Sequence, residues 1–118
     1  MEISLRKMYS EISMSPMVRG IYVTSLNQKV VSQNGSRVAI TFFNYGLSDI
    51  WLLPDISNVG FYGFNLPPFG GVLHFSVARD FLLPTSQWYA SSSSGNPELA
   101  YIAQYSSPSQ EKAGEENG

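Results

Sequence analysis

The sequence predicts a mainly β protein, folded as a single antiparallel β-sandwich with a jelly-roll-like or small-barrel form as the alternative. Three observations carry this. Apolar and polar residues alternate with a period of two in the runs Arg37–Asn44 and Val72–Val77. Short β-branched and aromatic runs are separated by turn signals such as Asn34-Gly35 and Asn44-Tyr45-Gly46. Beyond residue 20 no stretch shows the 3.6-residue repeat of an amphipathic helix.

In chain order, Met1–Pro16 matches neither period, and it holds or adjoins all four methionines, Met1, Met8, Met14 and Met17. Residues 1–17 are therefore read as an N-terminal arm, extended along a neighbour or folded back on its own body. The β domain spans 18–105. Val18–Thr24 is its first strand and Lys29–Ser32 a short second one. Gln33-Asn34-Gly35-Ser36 supplies a turn, because Asn-Gly tolerates the positive φ that tight turns demand. In Arg37–Asn44, Val38, Ile40 and Phe42 take one face, and Arg37, Ala39, Thr41 and Phe43 the other.

Ile50–Leu53 follows, ended by Pro54, which cannot donate to a ladder. Residues 55–71 read as a loop, with four glycines and Pro67-Pro68 around Phe61, Tyr62, Phe64 and Phe69. Val72–Val77, Gln87–Ala90 and Leu99–Tyr105 complete the strands. Val38, Ile40, Phe42, Leu73, Phe75 and Val77 are the predicted core, placed on facing sheets. Residues 106–118 carry Lys112 against Glu111, Glu115 and Glu116, and read as a flexible, disordered acidic tail.

Charge and composition narrow the function. The net charge is −2. Ahead of the tail, Arg6, Lys7, Arg19, Lys29, Arg37 and Arg79 balance Glu2, Glu11, Asp49, Asp55, Asp80 and Glu98. A neutral body with no basic stripe argues against a nucleic-acid partner. No run reaches the roughly 20 apolar residues of a membrane helix, so no membrane role is expected. Met1–Gly20 is a poor secretory signal. With no cysteine, disulfides and thiolate metal sites are excluded. Few charges together with 7 Phe, 7 Tyr and 2 Trp suit a body partly covered by other chains. A Ser/Asn/Thr-rich β surface that stays soluble without charge is the plainer explanation.

No motif for chemistry stands out. His74, the one histidine, shares a strand face with Ser76, but nothing local supplies an activated nucleophile. Asp49, Asp55 and Asp80 could serve glycoside hydrolysis only if two of them flanked one cleft; aspartates at loop edges are ordinarily turn residues. Ser91-Ser92-Ser93-Ser94-Gly95 lacks the lysine and helix of a phosphate loop. Trp51, Trp88, Tyr89 and the aromatics of the 61–69 loop are expected in the core first, at a protein interface second and as a sugar-stacking platform third.

One resemblance extends across Val31–Tyr105. Asn34-Gly35-Ser36-Arg37 leads into Val38-Ala39-Ile40-Thr41-Phe42-Phe43-Asn44. The short strand Asp49-Ile50-Trp51-Leu52 is followed by Gly70-Gly71-Val72-Leu73-His74-Phe75 and by Trp88-Tyr89-Ala90-Ser91-Ser92-Ser93 before the last strand. This rhythm resembles small β-sandwich structural proteins of tailed-phage virions, such as head-decoration (cement) or head–tail accessory proteins. Gly70–Phe75 would be the central strand.

The resemblance implies no enzymatic activity and no cofactor. It implies binding to the major capsid protein or other virion proteins, as a homo-oligomer or symmetric array, in a virion assembled in the host cytoplasm. Two rivals stand beside it: a carbohydrate-binding or receptor-binding tip module, which needs Trp51 or Trp88 exposed beside polar groups, and a small hydrolase. The expected protein interface comprises Met8, Met14 and Met17 of the arm with Phe61, Tyr62, Phe64, Leu66 and Phe69 of the loop; no catalytic, cofactor-binding or metal residue is expected.

Overall fold

A computed structural model describes residues 12–55 and 63–106. Among these, nine strands form two antiparallel sheets: β1 (Ile12–Met14), β2 (Val18–Tyr22), β3 (Gln28–Val31), β4 (Arg37–Asn44), β5 (Ile50–Pro54), β6 (Phe64–Leu66), β7 (Gly71–Ser76), β8 (Trp88–Ser92) and β9 (Glu98–Ser106). One sheet runs β1-β9-β4-β7, with β2 also on β9; the other runs β3-β8-β5-β6. The pairs β2–β9, β3–β8, β4–β7 and β5–β6 are nested like one long hairpin wound on itself. That nesting is the eight-stranded jelly roll, so the expected sandwich takes its jelly-roll form.

β1 and β2 are one broken strand along β9. Ser15 donates its N–H to Ala103 O at 2.8 Å, and its Oγ accepts the Ala103 N–H at 3.1 Å. Pro16 then has no N–H to give, and the ladder lapses until Val18.

The core lies between the sheets. Ile40, Phe42, Phe75, Leu99 and Ala103 come from the first, and Ile50, Leu52, Leu66, Trp88, Ala90 and Val31 from the second. Trp88 is fully buried, with ring centroids 4.9 Å from Phe75 and 5.2 Å from Phe42. Its Nε1–H has no acceptor. Aromatic packing offsets that cost in part.

Four expectations change. β4 and β7 are neighbours in one sheet, with Ile40 opposite Phe75 and Phe42 opposite Leu73, so their core residues do not face each other across the sandwich. β7 is an edge strand and not a central one. Val77 is exposed because the chain leaves β7 at Ser76 and makes the single turn α1 (Val77–Asp80). Phe64–Leu66, expected within the long loop, pairs with β5 as β6.

The bulge between Arg37 and Ala39 explains a further difference. It turns Arg37 inward and leaves Val38 only half-buried. Arg37 is buried and donates Nε to Pro84 O at 2.6 Å, and Nη2 to Ser86 O at 2.7 Å and Ser32 O at 3.0 Å. One guanidinium thereby ties β4 to the β3–β4 loop and to the 3-10 turn Leu83–Thr85.

Candidate functional site

The strand directions put four loops at one end of the sandwich: β2–β3 (23–27), β4–β5 (45–49), β6–β7 (67–70) and β8–β9 (93–97). Asn44, at the end of β4, organises them. Its buried amide donates to Ser48 O at 2.8 Å and Leu66 O at 2.9 Å, and its Oδ1 accepts the Gly46 N–H at 2.9 Å.

Backbone bonds link the same loops: Phe69 N to Gly46 O at 3.0 Å, Tyr45 N to Glu98 O at 2.9 Å, Ser93 N to Asp49 O at 3.1 Å and Ser92 N to Thr24 O at 2.8 Å. The Ser48 hydroxyl donates to Ser94 O. Gly46 lies so close to Pro97 that a Cβ there would sit 2.2 Å from the proline Cβ. Only glycine permits that approach.

On this rigid base Leu26, Leu47 and Phe69 point into solvent, and Tyr22, Tyr45, Leu47, Asn96, Pro97 and Glu98 line part of a cleft of about 440 Å³. The Tyr45 ring is stacked on Phe43 and carries the Arg19 guanidinium 4.7 Å from its centroid. Arg19 also makes two 3.1 Å bonds to the Glu98 carboxylate, which accepts the Gly20 N–H at 3.0 Å. The Arg19 bond first, and the Gly20 bond next, hold the Glu98 carboxyl below its ordinary range.

The opposite end presents a second apolar point. After α1, Phe81 has φ 58 and ψ −120, and Leu82 has φ −89 and ψ −1. These are the angles of a type II′ turn with Phe81 at the position glycine ordinarily fills. The turn is held firmly. Asp80 accepts the Ser76 N–H at 2.9 Å, Arg79 binds both Asp80 and the His74 carbonyl, and Thr85 N donates to Leu82 O at 3.0 Å. The Ser76 bond chiefly keeps the Asp80 carboxyl below its ordinary range.

Of the expected interface residues, Met14, Met17 and Phe69 are on the surface. Leu66 is fully buried and Phe64 packs on Phe75 at 4.9 Å, so both serve the core of this chain. Met8, Phe61 and Tyr62 lie outside the described residues. Leu26, Leu47, Phe81 and Leu82 are exposed apolar residues that the sequence reading passed over. The one available signal was apolar type within turn-rich sequence.

His74 does not pair with Ser76. Its Nδ1 lies 2.7 Å from Thr41 Oγ1 across the β4–β7 ladder. Asp49 and Asp55 sit at opposite ends of β5, about 20 Å apart at 3.3 Å per residue. That exceeds the separation of about 5–9.5 Å that glycosidase carboxylates need. Among the described residues no three His, Asp or Glu side chains converge as metal ligands.

No family model and no curated protein matches the sequence. The chain is similar to a protein of the Bacillus endospore appendages, which are disulfide-linked pili, at 8% identity over 80% of this chain and 88% of that one, with TM-score 0.49. It is also similar to an RmlC-like cupin protein from Desulfovibrio desulfuricans (14% identity, 78% and 79% coverage, TM-score 0.48). A third likeness is to the tobacco streak virus coat protein (10% identity, 82% and 87% coverage, TM-score 0.45). The jelly-roll assignment rests on the strand pairing itself.

Proposed function

We propose that this chain is a non-enzymatic structural protein of a phage virion, a capsid decoration or cement protein that binds coat subunits and stabilises the particle. One observation carries the reading. Among the described residues, the non-glycine positions with positive φ are Phe69 (φ 61) and Phe81 (φ 58), and both side chains are exposed, by 76% and 82%.

A bulky residue in that backbone region costs on the order of 1–3 kcal/mol. Neither ring returns that cost by entering the chain's own core. Burial against another protein would return it, at about 25 cal/mol per Å² of apolar surface. The two rings stand at opposite ends of β7, which spans about 20 Å, so one copy can touch two neighbours at once. Repetition around a symmetric shell multiplies such modest contacts.

The test is quantitative mass spectrometry of virions purified from the host that produces this chain. The expected result is a copy number in fixed ratio to the coat protein. The double variant Phe69→Gly/Phe81→Gly should fold and be depleted from the particles. Absence of the wild-type chain from particles, or undiminished incorporation of the variant, overturns the proposal.

A further inference from the structure

The outer face of the β3-β8-β5-β6 sheet carries a different surface. In β5, Ile50, Leu52 and Pro54 are buried, so the period of two turns Trp51 and Leu53 outward. Trp51 stands between Asn65 on β6 and Ser91 on β8 in register. Tyr89, opposite Leu53 on one side and Lys29 on the other, is the diagonal neighbour of Trp51 on that face. Trp51 is 38% exposed, whereas Trp88 is wholly buried. Asn65 Nδ2 donates to Asp49 Oδ1 at 3.3 Å, which uses one of the four hydrogen-bonding positions of that amide.

We propose that this face binds a neutral glycan, with the Trp51 indole as stacking platform, Tyr89 as its aromatic extension, and Asn65, Ser91 and Asp49 as partners for ring hydroxyls. A pyranose offers an apolar C–H face edged by hydroxyls, and this face offers an exposed ring edged by short polar side chains. Such a pairing of apolar surface with a few placed polar groups is how small-ligand sites work.

Charge agrees. The charged side chains around it, Lys29 on β3 and Asp49 and Asp55 flanking β5, are few and spread apart, which suits an uncharged ligand. Width agrees too. Asn65 and Ser91 lie one strand to either side of Trp51, so the apolar strip is bounded within about 10 Å. That matches the width of one sugar ring. The site is separate from the loop-end rings Phe69 and Phe81, so it stands or falls apart from the assembly role.

The experiment titrates the full chain with cellohexaose, maltohexaose and chitohexaose, following tryptophan fluorescence and saturation transfer from protein to sugar C–H protons. At least one oligosaccharide should bind at about 1 mM or tighter, with Trp51 emission shifting blue while buried Trp88 is unmoved. Trp51→Thr should weaken binding by about tenfold or more, Trp51→Phe should recover part of it, and Asn65→Ala should weaken it a few-fold without loss of fold. Phe69→Gly/Phe81→Gly should bind sugar as the wild type does. No binding of any of the three sugars at about 10 mM overturns the proposal. So does equal binding by Trp51→Thr and Asn65→Ala.

Discussion

Replacing Phe81 by glycine should make this protein more stable, although it deletes an aromatic side chain. Phe81 occupies the first central position of a type II′ turn at φ 58, ψ −120, where an L side chain costs about 1–2 kcal/mol. Its ring is 82% exposed, so little burial is lost with it. Against the relief stands the added freedom of glycine in the unfolded chain, about 0.4–1 kcal/mol. The balance is a gain of about 0.5–1 kcal/mol, or about 3–6 °C in Tm for a domain near 100 residues. Phe81→Ala separates the two effects, since it removes the ring and keeps the strain; it should melt close to wild type and below Phe81→Gly. Thermal unfolding by far-UV circular dichroism, repeated with urea, reads all three proteins. A fall of several degrees for Phe81→Gly would refute the reasoning, because it would mean that the ring packs within its own chain. Both variants should also bind particles less well, and only a partner-facing ring combines higher stability with poorer association.

Gly46→Ala should cost about 1–3 kcal/mol by urea denaturation, since the new Cβ would stand 2.4 Å from Pro97 Cα and force the β8–β9 loop away. Arg37→Leu should cost about 3 kcal/mol, because the carbonyls of Ser32, Pro84 and Ser86 lose their shared donor; Arg37→Lys should recover less than half, as an ammonium cannot reach the same fork of acceptors. Phe42→Ala should cost about 3–5 kcal/mol, since it empties the space between Trp88, Phe75 and Tyr101. Glu98 and Asp80 titrate below their ordinary range when folded, so their contribution is complete above the unfolded carboxyl value of about 4 and is lost as pH falls through the folded one. Thermal melts from pH 7 downward should therefore show a decline beginning near pH 4, and Glu98→Gln should make it shallower.

Strand existence was legible because it is a local property. Arg37–Asn44 alternates cleanly and forms β4 with those bounds, and Asn34-Gly35 places the turn before it. The three-residue β6 was not legible. Phe64-Asn65-Leu66 is too short to show a period, and it becomes a strand only because Ile50–Leu52 supplies the ladder. The candidate surfaces divide in the same way. Phe69 was visible as an aromatic among glycines and prolines. Leu66, three residues earlier, looked equivalent and is core.

That the chain is β, and that no cysteine cross-links it, could be read from residue order alone. Periodicity, turn residues and composition are written residue by residue and need no partner to be read. The fold settled that β4 and β7 lie side by side, because pairing depends on which strands the roll brings together. It decided that a bulge turns Arg37 inward, because a single inserted residue reverses the faces without changing the alternation before it. It also decided the fate of the two tryptophans. Trp88 and Trp51 both sit in short strands rich in apolar residues, yet one fills the core and the other stands in solvent beside Asn65 and Ser91. Both faces of these two strands carry apolar or aromatic residues, so their own alternation does not say which face the opposing sheet covers.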